Sequence, residues 1–104
     1  MKIFKELSKL GYKHYTENTI EELDDLPLNS EERIMEQALV LRWFREKGFH
    51  SAIMPKMTPS NTTVYYIYEG KPKKDWNNCF ETYEEAELEC LIKLIKICKE
   101  FIHQ

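Results

Sequence analysis

The segment 82–102 constrains this chain more than any other. It opens with Thr82-Tyr83-Glu84-Glu85, the pattern of a helix capping box, in which the Thr82 hydroxyl accepts from the Glu85 amide and Glu85 reaches back. Glu84, Glu85, Glu87 and Glu89 crowd the start, and Lys93, Lys96 and Lys99 crowd the end, so both charge biases complement the helix dipole. Leu91, Leu94, Ile95, Cys98 and Ile102 form one face. Leu88 and Ile92 widen it on one side, and Ala86, Cys90 and Ile97 on the other. At about 100° per residue the apolar arc exceeds half the circumference. One face of a sheet cannot cover so wide an arc, so the helix needs another helix or a second copy of the chain against it.

Upstream, Ile3, Phe4, Leu7 and Leu10 recur at helical spacing before Gly11, which predicts a short N-terminal helix with a glycine stop. Residues 17–32 hold seven acidic side chains and no Lys or Arg. This reads as a solvated, mobile acidic linker, or in a functional reading as a docking surface for a basic partner or a mimic of a nucleic-acid backbone. Within it, Thr19 and Glu22 could form a capping box for a helical turn that Pro27 ends. A longer helix is expected from Asn29 or Ser30 to Gly48, with Glu31 and Glu32 in its first turn. Ile34, Ala38 and Leu41 form one apolar stripe on it, and Met35, Leu39 and Trp43 a second, so it is expected to touch two other elements. If Gly48 is left-handed, Phe49 folds back onto Phe44.

Two runs with strand character follow, 50–54 before Pro55 and 62–69, joined by a turn at Pro59-Ser60-Asn61. In the second, Val64, Tyr66 and Tyr68 face one way and Tyr65 and Ile67 the other. Gly70-Lys71-Pro72-Lys73-Lys74-Asp75 reads as a further turn and 76–80 as a third, shorter strand. The expected architecture is α+β: an α-β-β-β-α core over residues 29–104, with a three-stranded antiparallel sheet and two helices on one of its faces. Residues 1–28 supply a short N-terminal helix and the acidic linker.

Composition narrows the function classes. With 104 residues, 42% apolar and 12% aromatic, the chain is long enough for a single core and too aromatic for disorder. A net charge of −3 argues against a general polyanion binder. The start, Met1-Lys2-Ile3-Phe4-Lys5-Glu6-Leu7, does not read as a signal peptide, and no apolar run approaches the roughly 20 residues of a membrane span, so a cytoplasmic chain without membrane contact is expected. Cys79, Cys90 and Cys98 are odd in number, and the last two would sit roughly 12 Å apart along a helix, so free thiols are expected. His14, His50 and His103 show no metal-ligand spacing. Cys79 and His50 on neighbouring strands are a conceivable nucleophile pair, marked by nothing beyond residue identity. With three glycines and no phosphate-cradling loop, no catalytic residue, metal or cofactor is assigned, and the chain is expected not to be an enzyme.

The α-β-β-β-α order resembles the double-stranded-RNA-binding domain, which places a lysine-rich motif at the start of its second helix. The matching start here is Thr82-Tyr83-Glu84-Glu85-Ala86-Glu87, whose carboxylates would repel phosphates, so the analogy extends to topology and not to function. A second resemblance runs from about Glu36 to Lys99. Trp43-Phe44-Arg45-Glu46-Lys47-Gly48, Tyr65-Tyr66-Ile67-Tyr68 and Phe80-Glu81-Thr82-Tyr83-Glu84-Glu85-Ala86, with Cys90-Leu91-Ile92-Lys93-Leu94-Ile95, look like small uncharacterised proteins carried by phages and mobile elements of Bacteroides-type gut bacteria. That resemblance implies origin and localisation, and no activity.

The leading expectation is a non-enzymatic binding or accessory protein that self-associates as a homodimer. Its candidate interface residues are Trp43, Leu39, Ile97, Leu88 and Ile92. The alternative is a weak nucleic-acid-binding module in which Lys71, Lys73 and Lys74 meet phosphates and Tyr65 stacks on a base.

Overall fold

The computed structural model describes residues 1–68 and 79–102, with the side chain of residue 102 excepted. The element order is α1 (Ile3–Lys9), α2 (Ile20–Asp25), α3 (Glu31–Glu46), β1 (Ala52–Met57), β2 (Thr63–Tyr68) and α4 (Tyr83–Ile102). The fold is α+β, and among the described residues the sheet has two strands and not the expected three. The expected third strand is reduced, among the described residues, to one antiparallel bridge from Phe80 to Tyr65. Residues 76–78, the greater part of that expected strand, lie outside the described residues. The Gly70–Asp75 turn and Trp76 lie outside the described residues.

The helices stop and start where local chemistry dictates. Thr19 and Glu22 form a reciprocal capping box at α2. Leu26, just before Pro27, is extended at ψ 140°, because the proline ring excludes a helical conformation there. Ser30 caps α3 through the Arg33 amide, and the Thr82 hydroxyl accepts from the Glu85 amide at 3.2 Å. Gly48 sits at φ 92°; Phe49 N–H donates to the Phe44 carbonyl at 2.9 Å, and the two rings meet edge-on at 6.3 Å. A left-handed glycine lets the chain reverse while the last carbonyls stay paired.

β1 and β2 are antiparallel, with Pro55 opposite Tyr65. The first strand therefore runs through Pro55 instead of ending before it. Tyr65 donates to and accepts from Phe80 at 2.8 and 2.7 Å, so its amide and carbonyl point away from β1. Pro55 and Tyr65 are then a non-hydrogen-bonded pair, and the proline nitrogen faces the open edge, the one place in a strand where a missing N–H breaks no ladder bond.

α4 lies on both strands, while α1 and α3 pack on α4, so the expected pair of helices on the sheet becomes a stack. The core joins Ile3, Phe4 and Leu7 of α1, Leu23 of α2, Val40 and Phe44 of α3, Ile67 of β2 and Leu91, Leu94 and Ile95 of α4. The wide arc of α4 is thus met from three sides by the chain itself. At its far end Ile97 and Phe101 stay 49% and 68% exposed. Lys99 of α4 pairs with Glu6 of α1, and this hydrogen bond above all holds the Glu6 carboxyl below its usual range.

The acidic segment is not a loose linker. Its α2 buries Leu23 completely, and both oxygens of Asp24 accept from the first amides of α1, Phe4 N–H at 2.8 Å and Lys5 N–H at 3.1 Å. A carboxylate at a helix N-terminus satisfies donors that have no partner within the helix.

Candidate functional site

The distinctive feature of the molecule is α3, which folds with a polar stripe inward. Arg33, Glu36 and Gln37 are buried together with Val40 and Phe44, at the helical spacing i, i+3, i+4, i+7, i+11. The two apolar stripes, expected to meet two other elements, are only partly covered, with Leu41 and Trp43 packing against the core. Ile34 and Met35 are 39% and 54% exposed, Ala38 is exposed, and Leu39, Leu41 and Trp43 are half-buried.

Each buried polar group on α3 answers a specific need of the backbone. The Glu36 carboxylate accepts from the Tyr15 and Thr16 amides at 3.1 and 3.0 Å, and from the Tyr12 hydroxyl. It thereby ties the 12–16 loop, which has no ladder of its own, to a rigid helix. Burial, followed by the hydrogen bond to Glu36, pushes the Tyr12 phenol far above its ordinary range. Arg33 does the corresponding work for α2. Its Nη1 donates to the carbonyls of Leu23, Asp24 and Leu26, at 3.0, 3.3 and 3.2 Å, where the short helix runs out of internal donors. Its guanidinium lies 5.2 Å over the Phe4 ring, and its Nε donates to Gln37 Oε1 at 2.7 Å. Burial lowers the pKa of this guanidinium from its ordinary value, and the nearby Asp24 acts against that shift.

Gln37 passes the network to α4 by donating through Nε2 to Glu87 Oε1 at 2.9 Å. Burial pushes the Glu87 carboxyl up, opposed by hydrogen bonds from Gln37 and Tyr83. Burial likewise raises the Tyr83 hydroxyl, whose ring meets Tyr65 edge-on at 6.0 Å. Among the described residues, no buried side-chain nitrogen or oxygen lacks a partner. The network runs from the 12–16 loop and α2 through α3 to α4.

A shallow groove of about 170 Å³ lies between β2 and α4, with His50, Ser51, Cys90 and Lys93 on its polar side. The Cys90 thiol is buried, and burial pushes it up despite a hydrogen bond with Ser51, so the reactive thiolate is disfavoured. Cys98 is also buried and Cys79 is half-buried; none of the three is in a disulfide. Among the described residues no three His, Cys, Asp or Glu side chains gather as a metal site, and no helix is long and apolar enough to cross a membrane.

The candidate interface residues differ in exposure. Trp43 is half-buried, edge-on to Tyr12 at 5.5 Å and to Phe44 at 5.1 Å, with Lys47 over its ring at 4.6 Å. Leu88 and Ile92 pack half-buried against the core, Leu39 is half-buried on α3, and Ile97 alone is exposed. Of the nucleic-acid candidates, Tyr65 is half-buried against Tyr83, while Lys71, Lys73 and Lys74 lie outside the described residues. The sequence reading missed Arg33, Glu36, Gln37 and Glu87 as interior residues. A signal was present: with two apolar stripes on different sides of α3, neither could own the core.

Comparison with protein-family models, curated proteins and solved structures found no match to this chain.

Proposed function

We propose that the chain is a non-enzymatic binding or accessory protein that acts by self-association, of the kind that phages and mobile elements carry. The observation that carries this reading is the orientation of α3. A helix that buries Arg33, Glu36 and Gln37 while turning Ile34, Met35 and Ala38 to solvent has its apolar groups available for another protein. The ionisable groups of the interior support the non-catalytic part. Glu36, Glu87, Tyr12 and Arg33 are each held by partners within the chain, and the shifts at Tyr12, Glu87 and Cys90 favour their neutral forms. Sedimentation equilibrium tests the reading. Average mass should rise from monomer toward dimer as concentration approaches about 1 mM, where even a weak complex near −4 kcal/mol is half-formed. A constant monomer mass throughout that range would remove it.

A further inference from the structure

The self-association proposed above has a specific geometry written on α3. One flank of this helix carries Glu31, Ile34, Ala38 and Arg45, all exposed, and Leu41, half-buried with part of its side chain against the core, at alternating steps of three and four residues. That spacing is the seam along which two helices pack side by side. The seam reads nearly the same in both directions. Ala38 is its midpoint, Ile34 and Leu41 flank it, and Glu31 and Arg45 stand seven residues out on either side.

We propose that two copies of the chain pair through α3, antiparallel, about a two-fold axis at Ala38. Three features of α3 point to a second copy of the chain. The charge at one end of the seam is the complement of the charge at the other, so an antiparallel copy places each Glu31 against Arg45 of its mate and forms both ion pairs at once. A parallel copy would place like against like. The residue on the axis is small, which lets two helix backbones approach closely. The groups between axis and charges are apolar, with Ile34 exposed and Leu41 half-buried. An isologous contact also requires a self-complementary patch, and a charge-palindromic seam is one.

The seam spans about 21 Å of helix, shorter than a standard interface of about 800 Å² per partner would need, so the dimer is reversible. Arg42, on the neighbouring row, is held by Glu46 and the Tyr15 hydroxyl, and it borders the seam without blocking it.

The inference rests on the self-association reading, and charge reversal separates the two. Glu31→Arg places Arg against Arg at both ends of the pair, and Arg45→Glu places Glu against Glu. Each variant alone should weaken the dimer about tenfold or more, since two attractive contacts become two repulsive ones. An equimolar mixture of the two should regain dimer as a heterodimer, because every end then carries opposite charges. Both positions are exposed, so the fold should be kept, as circular dichroism would verify. In the otherwise unchanged chain, Ala38→Cys should give a dimer linked 38 to 38 on mild oxidation, identified by peptide mapping. If the unaltered protein dimerises but neither reversal weakens it, or the mixture fails to recover, the α3 pairing is wrong and self-association stands. A protein that stays monomeric at all concentrations overturns both.

Discussion

Replacing Glu36 should be among the most damaging single changes available on α3. Its carboxylate is fully buried and accepts from the Tyr12 hydroxyl and from the Tyr15 and Thr16 amides. Glu36→Leu keeps the bulk but leaves both amides and the hydroxyl without an acceptor. The amides are only part-buried, so water can recover some of the loss. Taking about 1 kcal/mol for each amide and about 1.5 kcal/mol for the buried hydroxyl gives a destabilisation of roughly 3–4 kcal/mol. For a domain of this size that is a fall in Tm of about 12–20 °C, to be read by circular dichroism or urea unfolding. Glu36→Gln keeps one carbonyl oxygen for the amides and lets Tyr12 reverse its hydroxyl, so its cost should be about half as large. Amide exchange at Tyr15 and Thr16 should accelerate in both variants, and more in the leucine variant. If Glu36→Leu unfolds within about 0.5 kcal/mol of the parent, the range of an ordinary surface change, the carboxylate is not what holds the 12–16 loop.

Other outcomes follow from the same interior. The Glu87 carboxyl is raised by burial, so its ionisation counts against the fold above its unfolded range. Glu87→Gln should therefore be at least as stable as the parent at neutral pH, with the difference closing in acid as the native carboxyl takes up its proton; thermal melts across pH would show a parallel offset if this is wrong. Tyr12 is raised, so the stability it contributes is complete below the ordinary phenol range near 10 and falls as pH rises beyond it. Tyr12→Phe should lose stability at neutral pH yet flatten the alkaline arm of the curve. Gly48→Ala meets no atom within 4 Å but must hold φ at 92°, so the cost should be about 1 kcal/mol by urea unfolding and purely conformational. Thiol titration of the native protein should leave Cys90 and Cys98 unmodified until the chain unfolds, since both are buried.

How much of this was legible in the sequence follows from what each element depends on. The caps at Thr19, Ser30 and Thr82, the stop at Gly48 and the core arc of α4 were readable because each is set by residues within a turn or two of one another. The orientation of α3 was not, because it is decided by elements remote in sequence. Arg33 is inward because α2 needs donors for its last carbonyls, and Glu36 because the 12–16 loop needs an acceptor. Hydrophobic periodicity weighs side chains one at a time and cannot register that a distant backbone is short of partners. Of the third strand, the described residues show its last position, Phe80, bridged to Tyr65 across from β1. Of the candidate interface residues, Trp43, Leu88 and Ile92 pack half-buried against the core.

Pro55 also bears on which assemblies are open to the molecule. Along the outer edge of β1, the amides that point away from β2 belong to Ile53 and Met57, and the position midway between them holds a ring and no donor. An incoming strand would find its hydrogen-bond ladder interrupted at the centre, which protects a short exposed strand with methionines at Met54 and Met57 from the sheet-to-sheet growth that leads to fibrils. The proposed α3 pairing uses the helical side of the molecule instead, where a contact between two copies does not template a third.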